Sequence, residues 1–179
     1  MKKIFLIVAM FVAAAPFAAQ AQKTWTPINY TISIKVKNAG IGVNGTFSSL
    51  KTELLFSPEK LSTSHLSGTV EAATLKTGIN MRDNSIKDEK YLDVTKSKLI
   101  EISSTSLYPK GTQYAGMFKV TIKGTTKEME IPFDFIPFGD EADFNTTFTI
   151  NRRDFNVGGG SMTMSDNVTV TIKVKARAQ

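Results

Sequence analysis

The sequence contains no cysteine and one histidine among 179 residues. The first absence excludes disulfides, thiol nucleophiles and thiolate-held metals, so the fold must be stabilised by its core alone. The second leaves little for a transition-metal site. That histidine, His65, follows Thr63 and Ser64. A Ser-His-Asp arrangement needs its three groups within hydrogen-bond reach, which sequence neighbours on a strand do not provide, so His65 reads as an exposed residue at a strand start. Long apolar runs are missing after the first 21 residues, so no later segment is suited to cross a bilayer as a helix. Blocks of basic residues are missing as well. Lys and Arg are spread along the chain, which argues against nucleic acid as a partner. The formal charge is +6; without Lys2 and Lys3, 20 basic residues face 16 acidic ones, or +4. That is a solvated surface with at most a weak attraction to anionic headgroups.

Residues 82–94, RDNSIKDEKYLDV, hold a dense group of carboxylates: Asp83, Asp88, Glu89 and Asp93. Their spacing does not match an EF-hand loop, and the interleaved Arg and Lys neutralise them. Gly158-Gly159-Gly160 is not followed by a helix-forming run, so it reads as a flexible loop rather than a phosphate cradle. The sequence thus offers no catalytic residue, no metal site and no cofactor motif, and the expectation is a protein that is not an enzyme.

The first residues, MKKIFLIVAMFVAAAPFAAQAQ, combine a basic start, an apolar stretch and an Ala19-Gln20-Ala21 cleavage pattern. This predicts a signal peptide over residues 1–21, cleaved after Ala21, and export of a single domain over residues 22–179. With no Cys at the cleavage point, a lipid anchor there is excluded.

Beyond that point period-two alternation dominates. Tyr30, Ile32, Ile34 and Val36 alternate with Thr31, Ser33, Lys35 and Lys37. Similar runs centre on Leu54–Phe56, Leu66–Ala72, Ile100–Ser106, Tyr114–Ile122, Met129–Phe135, Phe144–Ile150 and Val168–Val174. This predicts an all-β domain of about eight antiparallel strands with tight turns at Gly124-Thr125-Thr126 and Gly139–Glu141. Eight such strands either close into a barrel or pack as two sheets. Two pieces break the pattern. Residues 39–50 carry Gly40, Gly42 and Gly45 and read as a bend. Residues 82–94 read as a short helix with Ile86, Tyr91, Leu92 and Val94 as its apolar stripe.

Twelve Phe is many for this length. Phe118, Phe133, Phe135, Phe144 and Phe148 share the inward phase of successive strands. They form either a filled core or the wall of an elongated apolar cavity, and periodicity does not separate the two.

The stretch RDNSIKDEKYLDV resembles the signature of the YceI-like family of exported polyisoprenoid-binding proteins, R-D-x-H-L-x-S-x-x-F-F-D-V. Arg82, Asp83, Ile86, Asp93 and Val94 fit, with Tyr91 and Leu92 in place of the aromatic pair. Trp25 with Tyr30, then VKNAGIGVNGTFSSL, VEAATLKTG with Thr77, FTINRRDFNVG and SDNVTVTIKVKA resemble further family segments in order. Asn38 and Ser85 stand where the family carries histidines, which bears on headgroup preference.

The resemblance implies an eight-stranded antiparallel lipocalin-like barrel with a short helix near one end, working in the periplasm. It also implies a ligand: an isoprenoid or other long-chain amphiphile, such as a quinone-like or polyprenol tail, held in the pore without chemistry. Combined with the inward phase, it nominates Phe47, Phe56, Phe118, Val120, Ile122 and Phe133 as pore residues. Phe135, Phe144, Phe148, Ile150, Val170 and Ile172 complete that set. Asn38, Arg82, Asp83, Asp93, Arg153 and Asp154 are the expected polar groups of the mouth, with Arg82 and Asp83 pairing to backbone or to the Arg153-Asp154 segment. The alternative is a filled barrel acting as an interaction or stress-response module without a lipid. Lys-rich polar faces and the end KVKARAQ, which lacks a terminal aromatic, argue against a membrane-inserted barrel. The oligomeric state is not legible, and a dimer stays open.

Overall fold

The computed structural model describes residues 22–179; the signal-peptide reading of residues 1–21 lies outside them. The strands are β1 (Thr24–Asn38), β2 (Ile41–Phe47), β3 (Lys51–Leu55), β4 (His65–Glu71), β5 (Leu99–Lys110), β6 (Gln113–Ile122), β7 (Thr125–Phe138), β8 (Glu141–Asn151) and β9 (Met164–Ala178). Every pairing is antiparallel, and the sheet closes where β1 meets β9 from Trp25↔Ala178 to Asn38↔Met164. Eight strands make the closed barrel and β2 is an extra one. β2 pairs with the upper part of β1, Ile32–Asn38, on the edge that β3 uses lower down at Thr24 and Trp25.

The barrel follows from the alternation. In β6, Phe118, Val120 and Ile122 are buried while Lys119 is exposed. In β8, Ala142, Phe144 and Ile150 are buried while Thr147 and Thr149 are exposed. Side chains of one parity fill the inside, and Lys35, Lys37, Lys119 and Lys173 stand outside. This is the reverse of a membrane-spanning barrel, whose outer face is apolar. Among the described residues no helix is long and apolar enough to cross a membrane.

Two sequence expectations need correction. Residues 39–50 are not a bend but mostly a strand. Ala39 and Gly40 both have positive φ, 49° and 78°, and form a two-residue hairpin turn between β1 and β2. Gly45 has a different task. A Cβ there would lie 2.8 Å from Leu75 Cδ1, so the missing side chain lets Leu75 approach the strand. Second, the helix does not run over 82–94. The helix α1 is Asn80–Lys87, ended by Asp88 in an extended conformation. Asp93 then takes φ +48°, which no helix accommodates, and a series of turns leads to β5.

One pairing is incomplete. β7 and β8 are joined only from Asp134↔Asn145 to Phe138↔Glu141. The next carbonyl of β7 that faces β8, that of Pro132, accepts a hydrogen bond from Thr146 Oγ1 at 2.6 Å. Backbone N and C=O of one strand residue point to the same side, so the N–H that Pro132 lacks is one the ladder would need here.

Candidate functional site

The barrel encloses an apolar cavity of about 230 Å³, measured as the space open to the centre of a water molecule. On that measure one water needs roughly 10–15 Å³ and at least two polar partners. This space is many waters large and offers few partners, so it favours hydrocarbon over solvent.

Its lower end is a plug of aromatic rings. Phe56, wholly buried, lies 5.2 Å from Tyr114, 5.6 Å from Phe133, 4.8 Å from Phe135 and 5.8 Å from Phe144, centre to centre. Trp25 meets Phe135 and Phe144 edge-on at 5.3 and 5.9 Å. Its indole N–H donates to the Phe56 carbonyl at 2.9 Å, satisfying that buried donor. The middle wall is aliphatic, from Ile32 and Ile34 of β1 across Val70 and Ile102 to Val170 and Ile172 of β9. The upper end is roofed by Leu75, Leu92, Phe155 and Val157, none of which lies on a strand.

Of the twelve nominated pore residues, Phe47, Phe118, Val120, Ile122, Phe133, Phe144, Phe148, Ile150, Val170 and Ile172 line this space. Phe56 and Phe135 do not; they stand behind Phe133 and Phe144 within the plug. Parity put them inside correctly, but parity carries no height along the barrel axis. The alternation also held the signal for Ile32, Leu66, Val70, Ile100 and Ile102, which share the inward phase and line the cavity. No alternation reaches the roof residues, because they come from turns.

The polar groups expected at the mouth are dispersed. Asp83 is buried, and one of its carboxylate oxygens accepts from the Thr77 hydroxyl at 2.6 Å and the Thr77 amide at 2.7 Å. Arg82 Nε donates to the same hydroxyl oxygen at 2.7 Å and Nη2 to the Thr77 carbonyl at 2.9 Å. The two residues therefore grip Thr77 and not the Arg153-Asp154 segment, correcting half of that expectation. The Thr77 hydroxyl above all, aided by the Thr77 amide, Lys76 and Arg82, holds the Asp83 carboxyl below the usual carboxylate range against the opposing effect of desolvation. Asp93 accepts from Thr95 Oγ1 at 3.0 Å and lies 3.7 Å from Lys96 Nζ. Arg153 is half-exposed, 3.5 Å from Asp166; Asp154 and Asn38 are exposed.

The residue that organises this region is Arg152, one position before the one nominated. It is buried and borders the cavity. Nε donates to the Ser165 carbonyl, Nη1 to those of Val157 and Gly159, and Nη2 to that of Met164 and to Asp166 Oδ1. All five guanidinium N–H groups are thus engaged. Arg152 ties the loop 157–166 across the upper end and has no donor left for a ligand. Its signal was present: Ile150 points inward, and two residues on the phase returns.

What the cavity offers chemically is apolar surface. Thr146 is the one hydroxyl of its β8 wall, and it is already bonded to Pro132.

The family described as YceI-like domain matches residues 24–176. A UPF0312 protein of Pectobacterium carotovorum subsp. carotovorum (strain PC1) is 24% identical over 155 residues, covering 83% of this chain and 81% of that protein. A UPF0312 protein of Pseudomonas putida is 29% identical over 153 residues, covering 81% of this chain and 79% of that one. Among solved structures, Burkholderia cenocepacia BcnA superposes with a TM-score of 0.78 at 22% identity, covering 82% of this chain and 95% of that one. A polyisoprenoid binding domain from Saccharophagus degradans, implicated in plant cell wall breakdown, gives a TM-score of 0.71 at 9% identity, covering 88% and 99%. At such identities the solved structures share the fold.

Proposed function

This chain belongs to the YceI-like family, and we propose on that premise that it is a binding protein, not an enzyme, which holds an isoprenoid or similar long apolar chain inside its barrel. The observation that carries this reading is the cavity itself: aliphatic walls, an aromatic floor, and a roof of four apolar side chains. A chain of about 15 carbons buried there contributes roughly 12 kcal/mol gross at ~0.8 kcal/mol per carbon. Association and ordering cost about 4–15 kcal/mol. At the low end of that cost the margin is about 8 kcal/mol, which is micromolar binding without a polar contact.

Selection then falls on the chain rather than the headgroup. The two positions where the family carries histidines support this: Asn38 is exposed, and Ser85 is exposed with its hydroxyl donating to the Met81 carbonyl. With the N-terminal segment read as a signal peptide, the site of action is the periplasm, and the role is to carry the chain through water. Native mass spectrometry of protein purified from its host tests the reading. The expected result is a co-purifying lipid with a long alkyl or prenyl chain, and saturable uptake of added geranylgeraniol. Empty protein that takes up neither geranylgeraniol nor a C16 fatty alcohol overturns it.

A further inference from the structure

We propose that the upper rim of the barrel, at the β1–β2 hairpin, is a docking surface for an anionic phospholipid bilayer. Four large apolar side chains stand in water there. Ile41 opens β2 and is 71% exposed; Met81 on α1 is 81% exposed and Met162 fully so, with Ile79 half-exposed between β2 and α1. The pairings bring them to one end. Asn38 pairs with Ile41 on one side and Met164 on the other, and the Ala39 amide donates to the Thr163 carbonyl, so the loop carrying Met162 adjoins the hairpin tip. An antiparallel bridge between Thr46 and Lys76 starts residues 77–81 back along β2 toward Ile41.

Along β1 and β2 the charge has one sign. From Gln22 to Thr52 the chain has no Asp or Glu, while Lys35 and Lys37 project from the outer face of β1. Lys35 lays its stem over β2, its Cε 3.2 Å from where a Gly42 Cβ would sit, which leaves the ammonium free to reach outward. Lys76, which bridges Thr46 on the far edge of β2, is exposed and lies 4.0 Å from Asp83. The carboxylates of the neighbouring segments are occupied: Asp83 by Thr77, and Asp166 by Arg152 and Arg153. Apolar side chains flanked by Lys35 and Lys37, neither in an ion pair among the described residues, match a surface of acyl chains under anionic headgroups. The lower end has apolar exposure too, at Ile136 and Phe138, but its cations Lys175 and Arg177 are taken up by Glu141 and Asp140, and Lys175 covers the Phe138 ring at 4.8 Å. That end offers the same surface little free positive charge. Docking stands apart from what the cavity holds; its use, loading from and delivery to a bilayer, rests on the proposed function.

The test is flotation of the chain from Gln22 onward with vesicles of phosphatidylglycerol and phosphatidylcholine in equal parts, against vesicles of phosphatidylcholine alone. Binding to the first set that weakens in 0.5 M salt is expected. The pair Lys35→Gln and Lys37→Gln is expected to weaken it about 30-fold, from the attraction of each lysine to an anionic surface. Met81→Ser with Met162→Ser lowers binding at either salt level, and Phe138→Ser leaves it unchanged. Met81→Trp gains an emission quenched by brominated lipid, a signal that loss of folding would not create. Absence of flotation overturns the proposal, as does an equal loss for Phe138→Ser. Binding to soluble polyglutamate without flotation reassigns the lysines to an acidic protein and overturns it also. Uptake of a dansylated geranylgeranyl amine in vesicle-free buffer is read in parallel. Flotation without uptake leaves docking standing and removes the cavity ligand; uptake without flotation does the reverse.

Discussion

The two ends of this barrel are built from different materials. The lower end is rings packed edge to face, with its one indole N–H satisfied and its outer rim laced by ion pairs between Glu141 and both Lys175 and Arg177. The upper end is mostly aliphatic side chains under a roof built from turns, with Phe155 wholly buried among them and two arginine networks tying the turns down. Rigid aromatic packing suits a floor that never opens. A roof made of loops, held by hydrogen bonds to a few carbonyls, can shift without unzipping a strand. The difference sets a packed aromatic floor against a roof of turns at opposite ends of one sheet, and the proposed function places the moving part at the roof.

Mutations at each end test that division. The largest effect expected is on binding: Phe148→Asp places a charge in the aliphatic wall and reduces uptake of geranylgeraniol by more than about 100-fold in fluorescence titration, since an unpaired buried charge costs several kcal/mol. Phe56→Ala acts on the floor. The residue is wholly buried, so the change destabilises by about 3–5 kcal/mol in urea unfolding, with a much smaller change in affinity in the fraction that stays folded. If Phe56→Ala weakened binding as much as Phe148→Asp, the division between the ends would fail. Arg152→Met leaves the carbonyls of the 157–166 loop and Asp166 without their donor. It is expected to cost about 3 kcal/mol and to speed hydrogen exchange in that loop while leaving the aromatic floor protected.

The smallest effect is in pH. The Asp83 pKa is lowered in the folded state. Its contribution is therefore present above the unfolded carboxylate pKa of about 3.9 and is lost as pH falls through the depressed folded value. Thermal melts from pH 7 to pH 2.5 should show wild type above Asp83→Asn at neutral pH, with the two converging at the acid end. A gap that persists at pH 2.5 would assign the difference to something other than the carboxylate.

Much of this was legible because strands write their burial in alternate letters. Phe118, Val120, Phe144 and Ile150 could be placed inside from phase alone. Phase says nothing of height, so it places Phe56 and Phe135 in the pore although they form its floor. It says nothing of turns either, so Leu75, Leu92, Phe155 and Val157 were invisible as cavity residues. β2 was hidden by its glycines, which resemble a loop in composition although one makes a hairpin turn and another makes room for Leu75. Arg152 and Arg153 show the limit most clearly: adjacent, identical in chemistry, and separated only by a parity the sequence did contain. The grip of Arg82 and Asp83 on Thr77 is a contact six residues back along the chain that no spacing rule announces.

Pro132 has a further consequence. By ending the β7–β8 ladder it leaves Thr125–Phe133 of β7 with no strand on that side. A bare strand edge is an invitation to another chain, and unguarded edges seed aggregates. Here the bare stretch reads Lys127, Glu128 and Glu130 on its exposed positions, charges that a newcomer would have to bury to add itself. The same imino acid that opens the lattice sits beside the residues that keep strangers from completing it.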